Sequence, residues 1–162
     1  MNIILVSACL LGQPARYDGR TARFEHAILD RWRQEGRVVV TCPEMAGGLG
    51  IPRPPAEIVE GDGKTVLAGH ARVVDRDGLD VTREFVQGAR EVLALAQAEK
   101  IKLALLKGNS PSCGNTEIYD GTFSGRKITG AGVTAAVLIQ HGLHVFNEKE
   151  IEQADVFLAS LN

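Results

Sequence analysis

An α/β fold in three layers, with helices on both faces of a mainly parallel sheet of about four strands in a Rossmann-like arrangement, is predicted by two features of the sequence. Short β-branched and aliphatic runs alternate with segments of helical periodicity along the whole chain. The runs are apolar throughout instead of alternating with polar residues, the pattern of strands covered on both faces.

The strand runs are "NIILVS" at 2–7, "RVVVT" at 37–41, "IKLALLK" at 101–107 and "LHVFN" at 143–147. Between the first two, Phe24, Ile28, Leu29 and Trp32 share one helical face, and Gly36 follows as a C-terminal cap. Thr82 can cap a second helix, in which Phe85, Val86, Ala89, Val92, Leu93 and Ala96 recur at helical spacing up to about Glu99. A third helix opens near "GAGVTAAVLIQHG" and ends at Gly142; a fourth is "EKEIEQADVFLAS". Two stretches break the rhythm. Residues 43–63 hold five glycines and four of the six prolines, so a long irregular segment is expected there, of the kind that often carries function. Residues 119–132 are also rich in glycine and are expected to form a small hairpin or an ordered loop.

The chain has 162 residues, the size of one ordinary domain, and residues 1–162 are read as a single one. An apolar fraction of 44% with 23% charged residues is that of a globular protein. No apolar run reaches a membrane span, so no membrane association is expected. A net charge of -2 offers no broad phosphate-binding surface, which disfavours polymeric nucleic acid as a partner. The apolar run before Cys9 lacks basic residues and is too short for a signal sequence, which points to the cytoplasm.

The chemistry is concentrated in the cysteines. Cys9, Cys42 and Cys113 are the only three, and each follows an apolar run. An odd number in a reducing compartment argues against disulfides and leaves metal binding, catalysis or plain burial. If the three runs are parallel strands, all three thiols lie past carboxyl ends at one edge of the sheet, where open α/β folds bind ligands. Burial competes with this reading, since free cysteine is commonly a core residue. A structural zinc site is a further alternative, but the chain has no Cys-x-x-Cys pair, and none of His26, His70, His141 and His144 adjoins a cysteine. Iron–sulfur clusters accept widely separated cysteines, and a cubane held by three leaves one iron open.

Three stretches, "SACLLGQPARYDG", "CPEMAGGLGIPRPPAEI" and "LLKGNSPSCG", resemble the signature motifs of the thiouracil desulfidase family of bacterial proteins, in the right order and at comparable spacing. The resemblance implies a desulfidase-like domain whose 4Fe-4S cluster is bound by Cys9, Cys42 and Cys113 and keeps one open iron. It implies a non-redox reaction in which a thiolated pyrimidine (thiouracil, thiouridine or its nucleotide) becomes the oxo compound plus sulfide. The family's catalytic glutamate and serine correspond to Glu44 and Ser110, whereas Ser112 is read as structural. Arg16, Tyr17, Asp18 and Arg53 belong to the same motifs; Arg16, Tyr17 and Arg53, together with Asn109, are the candidate substrate contacts, with loop bracing as the competing role of each. A cluster carrier or redox sensor would need the three cysteines but neither Glu44 nor Ser110.

The stretch "GAGVTA" at 130–135 matches a dinucleotide fingerprint, yet it does not follow the first strand and no later strand ends in the acidic residue that would hold a ribose. The helix it opens should direct its amino terminus to the cysteine edge, with free amides for a bound anion.

Overall fold

In the computed structural model, which describes residues 1–161, the expected three-layer α/β architecture is present. Four strands, β1 (Ile4–Ser7), β2 (Val38–Thr41), β5 (Leu103–Leu106) and β8 (His144–Asn147), form one sheet in the order β2-β1-β5-β8. Every pairing in it is parallel, with Ile4 opposite Val38 and Leu103, and Leu103 opposite His144.

The apolar strand runs are explained by what covers them. Ile4, Val6, Leu103 and Leu105 face a layer formed by α1 (Ala27–Gln34) and α6 (Ile151–Ser160), where they meet Leu29, Trp32, Ala154 and Leu158. The indole of Trp32 is fully buried, and its Nε1 donates to Asp155 Oδ1 at 3.1 Å, which joins the two helices. Leu5, Ala104 and Leu106 face the opposite layer, formed by α4 (Thr82–Ala98) and α5 (Val133–Gln140) through Phe85, Ala89, Val133 and Leu138. In the central strands β1 and β5, residues of opposite parity thus belong to different cores, and a polar residue on either face would be buried, whereas the edge strands β2 and β8 are only half-covered and leave Val40 and His144 exposed. Among the described residues no helix is long and apolar enough to cross a membrane.

The structure departs from the sequence reading in its details. Phe24 lies before α1; the helix starts at Ala27, and His26 is its cap, with Nδ1 accepting from Ile28 N at 3.1 Å. Gly36 ends that helix with φ +70°, as expected. Thr82 is not the cap of α4 but its first residue: Val81 occupies the cap, while Thr82 Oγ1 accepts from Val73 N at 2.9 Å and so stitches the helix to β4 (Arg72–Asp75). Residues 43–63 are more ordered than their glycine and proline content suggests. They contain α2 (Pro43–Ala46) and β3 (Ala56–Val59), which pairs antiparallel with β4, and their last residue opens α3 (Gly63–Leu67). Asp62 caps α3 in a reciprocal box with Thr65. The second glycine-rich stretch does form a hairpin, β6 (Glu117–Tyr119) against β7 (Lys127–Thr129), whose first strand starts two residues earlier than expected.

Candidate functional site

The order of the sheet creates the site. The chain leaves β2 at one edge and re-enters at β5 on the far side of β1, so the connections beyond β1, β2 and β5 open a crevice at their carboxyl ends. Cys9 sits in the single 3₁₀ turn, Ala8–Leu11, that follows β1 and ends at Gly12 with φ +91°. Cys42 is the residue after β2 and the cap position of α2, with Pro43 fixing the first helical turn. Cys113 lies in the turn after β5, where Ser110 Oγ accepts from the backbone N–H of Ser112 at 3.0 Å and of Cys113 at 3.1 Å. The three thiols line one cavity of about 410 Å³ together with Glu44, Ser110 and Asn109. Arg16, Tyr17 and Arg53 line it too, so every candidate residue from the sequence meets at one place.

The thiols disturb one another. Burial, and then the neighbouring Cys42, push the Cys9 thiol up to about 11, against a smaller downward pull from Lys107 and Arg16. Cys113 is driven up further by burial, by Cys9 and by Glu44; Ser7 Oγ, which donates to its sulfur at 3.8 Å, opposes the shift. Three thiolates lining one cavity, that of Cys113 buried and those of Cys9 and Cys42 half-buried, repel, so their ionised form calls for a cation. Among the described residues, no group of three or more His, Cys, Asp or Glu is placed to hold a metal ion, and none of the four histidines lines the cavity. Soft donors around a shared space, but not gathered at one point, fit a multi-iron cluster better than a mononuclear zinc site.

Glu44 is held firmly. Its Oε2 accepts from Arg53 Nε at 2.7 Å and is 2.7 Å from Arg53 Nη2, with the two side chains 18% and 9% exposed. The guanidinium also donates to Gly50 O and Ala15 O, each at 3.0 Å, which commits Arg53 to Glu44 and to the loop walls. Oε1 of Glu44 carries no hydrogen bond among the described residues and remains available to the cavity. The helix that carries Glu44 is fixed by two glycines: a Cβ on Gly47 would lie 1.9 Å from Glu84 O, and one on Gly88 would lie 1.9 Å from Pro43 O. No side chain larger than hydrogen fits at that crossing of α2 and α4.

The turn with Cys113 is braced from behind. Ser112 is buried, with its hydroxyl 2.8 Å from that of Thr134, which is the structural role expected of it. The amides expected to be free at the start of α5 are already used. Gly132 N donates to Gly114 O, Val133 N to Pro111 O and Thr134 N to Ser112 O, at 2.7 to 2.9 Å. This helix terminus holds the cysteine turn, and no anion site remains there, because the loop carbonyls approach Gly132 too closely to leave room. Asn109 has φ +68°, a conformation asparagine tolerates, and bridges to Ile118 on β6. Arg16 stacks over the Tyr17 ring at 5.8 Å, whereas Asp18 turns to its own loop and accepts from Arg20 N at 2.9 Å.

Several wall residues escaped the sequence reading. Glu57 on β3, Arg76 beyond β4, and Tyr119 and Phe123 of the hairpin all line the cavity, as does Lys107 at the end of β5. Glu57 stands within "CPEMAGGLGIPRPPAEI", the longest of the three motifs, yet nothing in its local pattern distinguishes it from an outward-facing strand residue.

Comparison with known proteins agrees with this geometry. Residues 4–150 match the family described as 2-thiouracil desulfurase. The chain is similar to the uncharacterised protein YbbK of Bacillus subtilis, with 47% identity over 152 residues, 92% of this chain and 97% of that one. A weaker similarity, 29% over 159 residues, is to L-evernosamine nitrososynthase of a Micromonospora species; it covers 86% of this chain but only 36% of that protein. A solved structure, the [4Fe-4S]-dependent thiouracil desulfidase TudS, superposes with a TM-score of 0.89 at 46% identity, covering 98% of this chain and 99% of the other.

Proposed function

The chain belongs to the 2-thiouracil desulfurase family, and from that premise we propose that it removes sulfur from thiolated pyrimidines by hydrolysis, with a 4Fe-4S cluster held by Cys9, Cys42 and Cys113. The observation that carries this reading is the meeting of three thiols, a clamped carboxylate and a serine hydroxyl in one cavity large enough for a pyrimidine. When bound, the cluster supplies one iron without a protein ligand, a soft Lewis acid for the thiocarbonyl sulfur and an acceptor for the departing sulfide.

The protein's own groups handle water and protons. A thiocarbonyl and water give a carbonyl and hydrogen sulfide, so one oxygen enters, one sulfur leaves and no electrons are exchanged. Glu44 uses Oε1 as the general base on the attacking water, while Arg53 holds Oε2 and keeps the carboxylate oriented. Ser110 Oγ spends its lone pairs on the amides of Ser112 and Cys113, which leaves its own hydrogen to donate to the ring or to the incoming oxygen. Asn109, Arg16 and Tyr17 are proposed to border the ring. Lys107 lines the cavity, and its Nζ is held 3.3 Å from Glu148 Oε1.

Anaerobic reconstitution followed by iron, sulfide and turnover measurements tests the proposal. It requires close to four iron and four sulfide per chain and sulfide release from 2-thiouracil. A cluster-loaded protein that releases none is a carrier or sensor, and stoichiometric zinc without sulfide would leave only a structural site.

A further inference from the structure

The carboxylate of Glu57 is used by nothing in the reaction above. It is nine-tenths buried on β3, yet it lines the same cavity as the cysteines. Its Oε1 accepts from two amides of the hairpin tip, Gly121 N at 2.9 Å and Phe123 N at 3.1 Å. Its Oε2 has no hydrogen bond among the described residues and is not among the enclosed polar atoms left without one. The open space within its reach is the cavity.

The same contact builds the wall next to it. Phe123 adopts φ +56°, an uncommon backbone for a bulky side chain, and it is the amide of this residue that Glu57 holds. Its ring lines the cavity together with Arg76, whose guanidinium carbon lies 5.8 Å from the ring centroid. Thus one carboxylate positions a flat apolar wall with one oxygen and offers an acceptor beside that wall with the other. A carboxylate so buried needs a donor from whatever fills the cavity.

We propose that Glu57 is a specificity residue, accepting the ring N3–H of the substrate so that the site takes thiopyrimidines of the uracil type and refuses those of the cytosine type. The inference rests on the desulfidase reading. N3 adjoins both C2 and C4, so an acceptor placed there serves either thio isomer and leaves N1 free for a sugar. In a thiocytosine, N3 presents a lone pair instead, and two acceptors would meet without a proton between them. A site built to bond one hydrogen rejects the analogue that lacks it far more strongly than an apolar pocket does.

Wild-type protein decides the matter first. With loaded enzyme, 1-methyl-2-thiouracil should be turned over like 2-thiouracil, while 3-methyl-2-thiouracil and 2-thiocytosine should lose about tenfold to a hundredfold in kcat/KM, the scale of a charged hydrogen bond. Glu57→Gln keeps an oxygen for the two amides and turns a donor toward N3. This variant should lose 2-thiouracil turnover mainly through KM and gain on 2-thiocytosine. Calorimetric binding of uracil against 3-methyluracil gives the same comparison without desulfidation. Should no thiopyrimidine release sulfide, the function proposal fails, and this binding pair still judges Glu57. Equal handling of the N1- and N3-methyl compounds, or an unchanged preference in Glu57→Gln, would overturn the assignment. If Glu57→Gln does not fold by circular dichroism, the wild-type comparison decides alone.

Discussion

Gly88→Ala should separate the stability of this protein from its activity. Gly88 lies inside α4, where alanine is intrinsically the better helix former by about 1 kcal/mol. Against that gain, the new methyl would stand 1.9 Å from Pro43 O, while real Cβ atoms essentially never approach a neighbour closer than 3.0 Å. The gap requires α2 to retreat by at least 1.1 Å. Pro43 stands between Cys42 and Glu44, so the proposed cluster ligand and the proposed general base move together. Overpacking of this kind costs about 1–3 kcal/mol, which leaves a net loss of about 0–2 kcal/mol and a fall in Tm of at most about 8 °C. Misplacing reacting groups by about 1 Å costs on the order of a hundredfold in rate. Thermal melting by circular dichroism and sulfide release from 2-thiouracil read the two effects, with Arg90→Ala on the exposed side of α4 as control. Full activity in Gly88→Ala, with melting unchanged, would refute the claim that this close crossing positions the site.

Replacing any one of Cys9, Cys42 or Cys113 by alanine should yield a folded chain that fails to retain four iron and four sulfide on reconstitution, measured by metal and sulfide analysis. Glu44→Gln and Ser110→Ala should keep the cluster and lose on the order of a hundredfold or more in turnover. Arg53→Lys retains a charge but not the two-nitrogen grip on Glu44, so turnover should fall at least about tenfold with cluster content unchanged. Thr134→Val leaves the buried Ser112 hydroxyl without its partner at 2.8 Å and should lower stability by about 1–3 kcal/mol in denaturant unfolding.

The sheet was legible in the sequence because strands buried on both faces must be apolar at every position, as in "IILV" and "LALL". The cysteine edge followed from the same pattern, since parallel strands bring their carboxyl ends together however far apart they lie in the chain. What was not legible depends on partners distant in sequence. The ribbon of β3 and β4 is short, and its pairing of Glu57 with Val74 leaves no trace in either segment alone. The grip of Glu57 on Gly121 and Phe123 spans 64 and 66 residues. Thr82 carried the chemistry of a cap, but its hydroxyl accepts from Val73 on β4, and Asp80 is the side chain that accepts an amide at the start of the helix, that of Thr82 at 2.9 Å. The start of α5 resembled an anion site, and its glycine instead admits the backbone of the cysteine turn. Glycine records closeness in a sequence but not what comes close.

Water enriched in heavy oxygen tests the central claim most directly. Loaded protein is given 2-thiouracil under anaerobic conditions with no added reductant, and both products are followed by mass spectrometry and sulfide assay. Hydrolytic desulfidation predicts the label at the carbon that lost sulfur, one sulfide for each uracil formed and many turnovers without an electron donor. An unlabelled product carbonyl, or a demand for reducing equivalents in every cycle, would contradict it.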